Sequence, residues 1–315
     1  MTYDISVVIC SHNPCLKNLA RVLNALKKQT LPAKQWELLL IDNASEHPLA
    51  SYVDLSWHPG GRHVYEEKLG LTNARLCAFN ESQSSILAFV DDDNLLDADF
   101  LCNLLKISAQ YPKVGAFGGK VIPEFETKPE EWIRKFDNTL AIRDFGNHSL
   151  YCEELNVSKF PLEYPAYAPI GAGLVLRKRA AKAYAKSVLT QPNRLSFGRS
   201  GKQLTSGEDN DIILTVLSEG WGIGYFPQLR LTHLISANRL TRDYLAKLNY
   251  ASSRSWVQVL NIHGIRPWHE IPSWGVFPRK MKAFLSYQPW KSDEAYVRWK
   301  GACGLFEGLS TLSAS

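Results

Sequence analysis

The chain has 315 residues, of which 45% are hydrophobic and 21% charged, with a formal net charge of +5. That balance excludes a disordered chain and supplies enough apolar residue for one large core plus an appendage. No apolar window reaches membrane-spanning length, and residues 1–9 run into a strand without a basic stretch followed by an apolar one, so a cytoplasmic protein is expected.

Six cysteines are scattered without a CxxC pair or zinc spacing, which predicts reduced thiols rather than a disulfide framework. Charge is uneven. Residues 241–315 hold ten Lys and Arg against five Asp and Glu, so the tail accounts for the whole net charge. No nucleic-acid partner is expected.

Residues 5–9 form a first buried strand, Ser11-His12-Asn13-Pro14 a turn, and residues 16–28 a helix. A second apolar strand over 36–41 ends in Asp42-Asn43-Ala44-Ser45, which completes a βαβ unit. An acidic residue closing such a strand either meets a nucleoside or caps the following turn. Residues 64–66 read as a short strand, and a helix opens at Gly70 and runs to about 82. Arg75 sits near its start, where a cation is out of place unless an anion or an ion-pair partner is close.

The run Ile86-Leu87-Ala88-Phe89-Val90 then ends in Asp91-Asp92-Asp93. Five apolar residues predict a strand buried on both faces, as inside a parallel sheet. If the strand continues, Asp91 and Asp93 share one side and suit a hard divalent cation, Mg²⁺ or Mn²⁺. A solvated acidic turn is the alternative.

Residues 98–109 read as a helix, 114–121 as a strand, and 122–168 as a long insertion with a helix near 130–136. Gly171-Ala172-Gly173 precedes a strand, and the two glycines mark a close approach by a ligand or another backbone. Residues 177–187 look helical, and 190–207 read as a mobile basic loop with Arg194, Arg199 and Lys202. The loop stops at Glu208-Asp209-Asn210-Asp211, which is either ordinary helix-start chemistry or part of a site. A strand over 220–226 and a lone histidine, His233, follow.

Taken in order, these motifs resemble the family 2 glycosyltransferases of the GT-A fold, over roughly residues 3–245. The segments that carry the resemblance are the opening strand through Asn13, the Asp42-Asn43 strand end, Gly70 to Arg75, Asp91-Asp92-Asp93 as a DXD motif, Gly171-Ala172-Gly173, Glu208-Asp209 and His233. It implies an α/β Rossmann-like, mostly parallel sheet flanked by helices, with a nucleotide-binding half over 1–121 and an acceptor-binding half over 122–245. Residues 246–315 would be a mainly helical, Trp-rich appendage.

The resemblance further implies an inverting, metal-dependent enzyme that moves a sugar from a nucleoside diphosphate sugar to a glycan or lipid-linked acceptor. Ser11, Asp42, Asn43, Arg75, Asp91 and Asp92 would bind the donor, with Asp42 on the base and Asp91 on the ribose. Asp93 and His233 would hold Mn²⁺ or Mg²⁺, Gly171, Ala172, Gly173 and Glu208 would meet the acceptor, and Asp209 would be the base. A sugar nucleotidyltransferase is the rival enzyme, although Ser11-His12-Asn13-Pro14 is not the glycine-rich loop it needs. A carbohydrate-binding protein on the same fold would have no reason to keep both acidic elements. The tail's five tryptophans and basic charge predict either a packed helical unit or weak, reversible attachment to the inner face of an anionic membrane.

Overall fold

In the computed structural model, which describes residues 3–154, 164–201 and 204–312, strand β1 (Ile5–Ser11) is covered on both faces. Val7 and Ile9 enter one apolar layer and Val8 the opposite one, the period-2 alternation of a strand buried on both sides. β2 (Trp36–Asn43) does the same, with Leu38 and Leu40 in the first layer and Leu39 and Ile41 in the second. Helices α1 (Leu16–Lys27) and α3 (Phe100–Gln110) close the first layer through Leu19, Val22, Leu101 and Leu104. The second is closed by α2 (Leu71–Glu81), α4 (Lys178–Thr190) and α5 (Glu208–Ser218), through Ala78, Tyr184, Ile212 and Val216. Each such buried aliphatic side chain contributes about 2 kcal/mol in transfer free energy.

The sheet runs β3 (Gly61–Glu66), β2, β1, β4 (Ile86–Phe89), β8 (Val175–Arg177), β6 (Val114–Phe125), β9 (Gly222–Ile235), β5 (Asn94–Leu96), with β7 (Leu150–Cys152) paired to β9. Pairing is parallel through β3-β2-β1-β4 and between β6 and β9, and antiparallel at β8, β5 and β7. The chain thus leaves β1 for β2 on one side and later enters β4 on the other. Ligands bind at such a switch point, in the crevice beyond the carboxyl ends of the strands.

Several elements differ from their sequence reading. β4 ends at Phe89, and the acidic triplet lies on a turn in which Asn94 N–H donates to the Asp91 carbonyl at 3.0 Å. Strand alternation therefore does not orient the three carboxylates. β9 begins at Gly222 and carries the strand expected over 220–226 on through His233 to Ile235, and its pairing with β6 shifts register between Gly119 and Val121. Pro227, which has no N–H for the ladder, stands at that irregularity and breaks the pattern seen in the sequence. The expected loop over 190–207 contains a 3-10 segment, Pro192–Phe197, and its Arg194 is buried; Lys202 lies outside the described residues.

The C-terminal region is helical, with α6 (Arg242–Ile262), α7 (Val276–Tyr287) and α8 (Asp293–Ser310). Thr241 and Ser292 start α6 and α8 by accepting from the Tyr244 and Ala295 amides at 3.3 and 3.2 Å. Glycines let α8 lie close against α6: a Cβ at Gly304 would stand 2.1 Å from the Tyr250 carbonyl oxygen. α6 runs straight through position 245.

Candidate active site

A cavity of 510 Å³ opens beyond the carboxyl ends of β1, β2 and β4. It is lined by Ser11, Asn43, Arg75, Asp91, Asp92, Asp93, Gly171, Ala172, Glu208, Asp209 and His233, which the sequence places far apart. At the switch point itself, the Ser11 hydroxyl donates to Asp92 Oδ2 at 2.5 Å, which joins the end of β1 to the acidic turn. Asn43 holds the rim: its Nδ2 donates to the Lys68 carbonyl at 2.7 Å and its Oδ1 accepts from the Gly70 amide at 2.8 Å. Asp42 is not among the lining residues. Its oxygens accept from the Ser45 and Leu49 amides at 3.1 and 2.8 Å, so the side chain shapes the turn after β2.

Electrostatics single out the turn. Burial raises the Asp91 carboxyl, and Asp93 adds to the rise. Burial and the neighbouring Asp93 likewise push Asp92 up to about 7. Burial acts upward on Asp93 as well, but His233, Arg239 and Arg199 outweigh it and hold that carboxyl below its ordinary range. The turn thus holds two carboxyls raised by burial and by Asp93, while Asp93 itself is matched by the cations beside it. His233, on β9, brings Nε2 to 3.4 Å from Asp93 Oδ2, and the Leu234 amide donates to the Asp93 carbonyl at 2.8 Å, which fixes the approach.

A carboxylate oxygen suits Mn²⁺ or Mg²⁺ when substrate phosphates complete the shell, and the imidazole nitrogen beside it favours Mn²⁺ over the harder Mg²⁺. Among the described residues no three His, Cys, Asp or Glu side chains converge as a full metal cage, so the fit is for a shared site only. Arg239 complicates it, because its Nη1 lies 3.1 Å from Asp93 Oδ2 and 3.0 Å from His233 Nε2.

The second wall comes from α5. Glu208 is 3% exposed and pairs with Arg75 at 3.0 Å. Burial lowers the Arg75 pKa, but Glu208 and Asp91 outweigh it and keep the guanidinium firmly charged. Arg75 thus has the ion-pair partner that its position near a helix start calls for, and it also lines the cavity. Asp209 Oδ2 accepts from the Gly171 amide at 3.2 Å and Oδ1 from the Asn210 amide at 2.9 Å. Two N–H donors fix the position of the carboxylate. Gly173 adopts φ +69°, a left-handed conformation that favours glycine, in the turn behind the Gly171 contact. Asp211 points away, fully buried between Arg194 Nη1 and His263 Nε2, each at 2.7 Å.

Sequence reasoning did not find Arg239, Arg143, Asn138, Thr139 or Ser252, all of which line the cavity. Arg143 arrives through an isolated bridge to Val121, a tertiary contact with no local signature. Ser252 lies on α6, which therefore belongs to the wall as well as to the appendage.

A family model described as Glycosyl transferase family 2 matches residues 6–164. The chain belongs to that family. The glycosyltransferase is 25% identical over 278 residues to the succinoglycan biosynthesis protein ExoM of Rhizobium meliloti, covering 84% of this chain and 78% of that protein. It is 30% identical over 92 residues to the glycosyltransferase AglE of Haloferax volcanii, 28% of this chain and 30% of that one. Among solved structures, S. aureus TarS 1-349 superposes with a TM-score of 0.51 at 14% identity over 99% of this chain and 91% of that one, and so shares the fold. TarS 1-349 has also been solved with UDP and with UDP-GlcNAc. Among the described residues of the glycosyltransferase, no helix is long and apolar enough to cross a membrane.

Proposed function

We propose that this glycosyltransferase moves a sugar from a UDP-sugar to a hydroxyl of a glycan or lipid-linked acceptor, with inversion, in the assembly of a cell-surface polysaccharide or glycoconjugate. The observation that carries the reading is one cavity lined jointly by the acidic turn 91–93, His233 and Asp209. The UDP and UDP-GlcNAc complexes of TarS support the donor class, and the succinoglycan relative supports a polysaccharide product. Six free cysteines support a reducing compartment.

In this reading the donor lies along the β1, β2 and β4 ends, against Ser11, Asn43, Asp91 and Asp92 of the half over 1–121, and the acceptor enters beside 171–172 and α5 of the half over 122–245. The acceptor oxygen forms a bond to the anomeric carbon as the bond to the diphosphate breaks, and one displacement inverts the centre. Asp209 takes the hydroxyl proton, held in place by the Gly171 and Asn210 amides. Glu208, also on the cavity wall beside the acceptor, orients that helix end through Arg75. Asp93 and His233 would hold a divalent cation, which would supply neutralising charge for the departing diphosphate. Arg199 and Arg143, both on the cavity wall, add positive charge.

The test is release of UDP from a panel of UDP-sugars, with and without a glycan or lipid-linked acceptor, followed by NMR of the product's anomeric centre. UDP release that needs the acceptor, with inverted configuration, is expected. Pyrophosphate in place of UDP, or retained configuration, contradicts the proposal.

A further inference from the structure

Large exposed apolar side chains are concentrated in one place: among the described residues, half of them fall between residues 268 and 290. On α7 only Ala283 is buried. The helix leans on α8 along one narrow side, where Trp299 Nε1 donates to the Lys280 carbonyl at 3.3 Å and the Phe284 ring lies 5.3 Å from Trp299. The other side carries Phe277, Met281 and Leu285, which are spaced four residues apart and 71%, 45% and 65% exposed. Trp274, 80% exposed, stands before the stripe, and Trp290, 58% exposed, stands after it. Helical spacing stacks these side chains into one ridge, and here the ridge faces outward.

Charge shows what covers it. Residues 271–292 contain Arg279, Lys280, Lys282 and Lys291 and no Asp or Glu. Among the described residues only Lys280 of these is drawn into an ion pair, with Glu307 of α8. A second copy seated on the ridge by a two-fold axis would set two wholly basic patches against each other, at a cost in like-charge repulsion. An anionic lipid surface takes both features at once. The apolar ridge enters the headgroup boundary, tryptophans suit that layer, and lysine and arginine meet lipid phosphates.

We propose that α7 and its flanks are a docking surface for an anionic lipid bilayer, on which the helix lies in the plane of the interface. At about 18 Å for 12 residues, α7 is too short to span the hydrocarbon core. The surface is separate from the cavity and does not depend on which sugar is transferred.

The experiment is cosedimentation of the full chain with vesicles of phosphatidylcholine alone and of phosphatidylcholine with phosphatidylglycerol, at low and high salt. Pelleting with the anionic vesicles at low salt is expected, weakened about tenfold or more by high salt. Combined Trp274→Ser, Phe277→Ser and Leu285→Ser should abolish it, and Lys282→Glu with Lys291→Glu should weaken it about tenfold. All five side chains are exposed, so an unchanged melting temperature serves as the check on folding. A blue shift of tryptophan fluorescence on adding vesicles, absent in the triple variant, reports entry of the ridge. A full chain that stays in the supernatant with anionic vesicles overturns the proposal, as does a triple variant that pellets like the parent. A concentration-dependent dimer that the triple variant abolishes, without vesicle binding, also overturns it and assigns the ridge to a second copy.

Discussion

Nη1 of Arg239 stands 3.1 Å from Oδ2 of Asp93 and 3.0 Å from Nε2 of His233, on the two side chains best suited to a divalent cation. A guanidinium and a metal ion cannot both use them. Arg239→Ala should therefore bind Mn²⁺ about tenfold more tightly than the parent in the absence of nucleotide, since it removes a competing cation. Asp93→Ala should lose both that binding and transfer. Electron paramagnetic resonance of free Mn²⁺ measures the affinities, and an Arg239→Ala variant with unchanged Mn²⁺ affinity contradicts the competition.

Asp211, two residues after Asp209, plays a different part. It is fully buried between Arg194 and His263, and removing it leaves the Arg194 guanidinium buried without a carboxylate. Asp211→Ala should destabilise the fold by about 3–5 kcal/mol. Urea unfolding measures it, and a loss under about 1 kcal/mol would show that Asp211 is not the structural anchor described.

His58 supplies a pH dependence. The buried ring lies 4.0 Å from Trp36, and its Nδ1 accepts from the Gly60 amide at 3.1 Å. Burial lowers its pKa to about 4 from an ordinary 6.5. Between those values the unfolded chain binds the proton and the folded chain does not, so stability rises with pH. The contribution is complete above pH 6.5 and is lost as pH falls toward 4, on the order of 3 kcal/mol in all. His58→Asn keeps an acceptor for Gly60 and should unfold in urea with a smaller drop between pH 7 and pH 5 than the parent. Equal drops would exclude His58 as a source.

The parallel half of the sheet was legible in the sequence because β1, β2 and β4 are covered on both faces and read as apolar runs interrupted only by Ser6 and Glu37 before their ends. The carboxyl-terminal residues of those runs were legible for the same reason, and Ser11, Asn43 and Asp91 to Asp93 meet as their strand ends require. What escaped depends on tertiary contact. Arg239 reaches Asp93 from 146 residues away, and nothing in its own neighbourhood marks it. Arg75 and Glu208 both line the cavity, but their ion pair joins residues 133 positions apart, and no local pattern shows it. The outward turn of Phe277, Met281 and Leu285 was equally hidden, since periodicity shows that a helix has an apolar ridge but not which way it faces.

The most direct test of the proposed transferase chemistry is Asp209→Asn. The amide retains an oxygen to accept from Gly171 and loses only the basicity. Donor affinity by calorimetry should stay within about twofold, while acceptor-dependent UDP release falls by roughly 10²–10⁴, the scale of a lost general base. Turnover near that of the parent, with donor affinity intact, would contradict Asp209 as the group that takes the acceptor's proton.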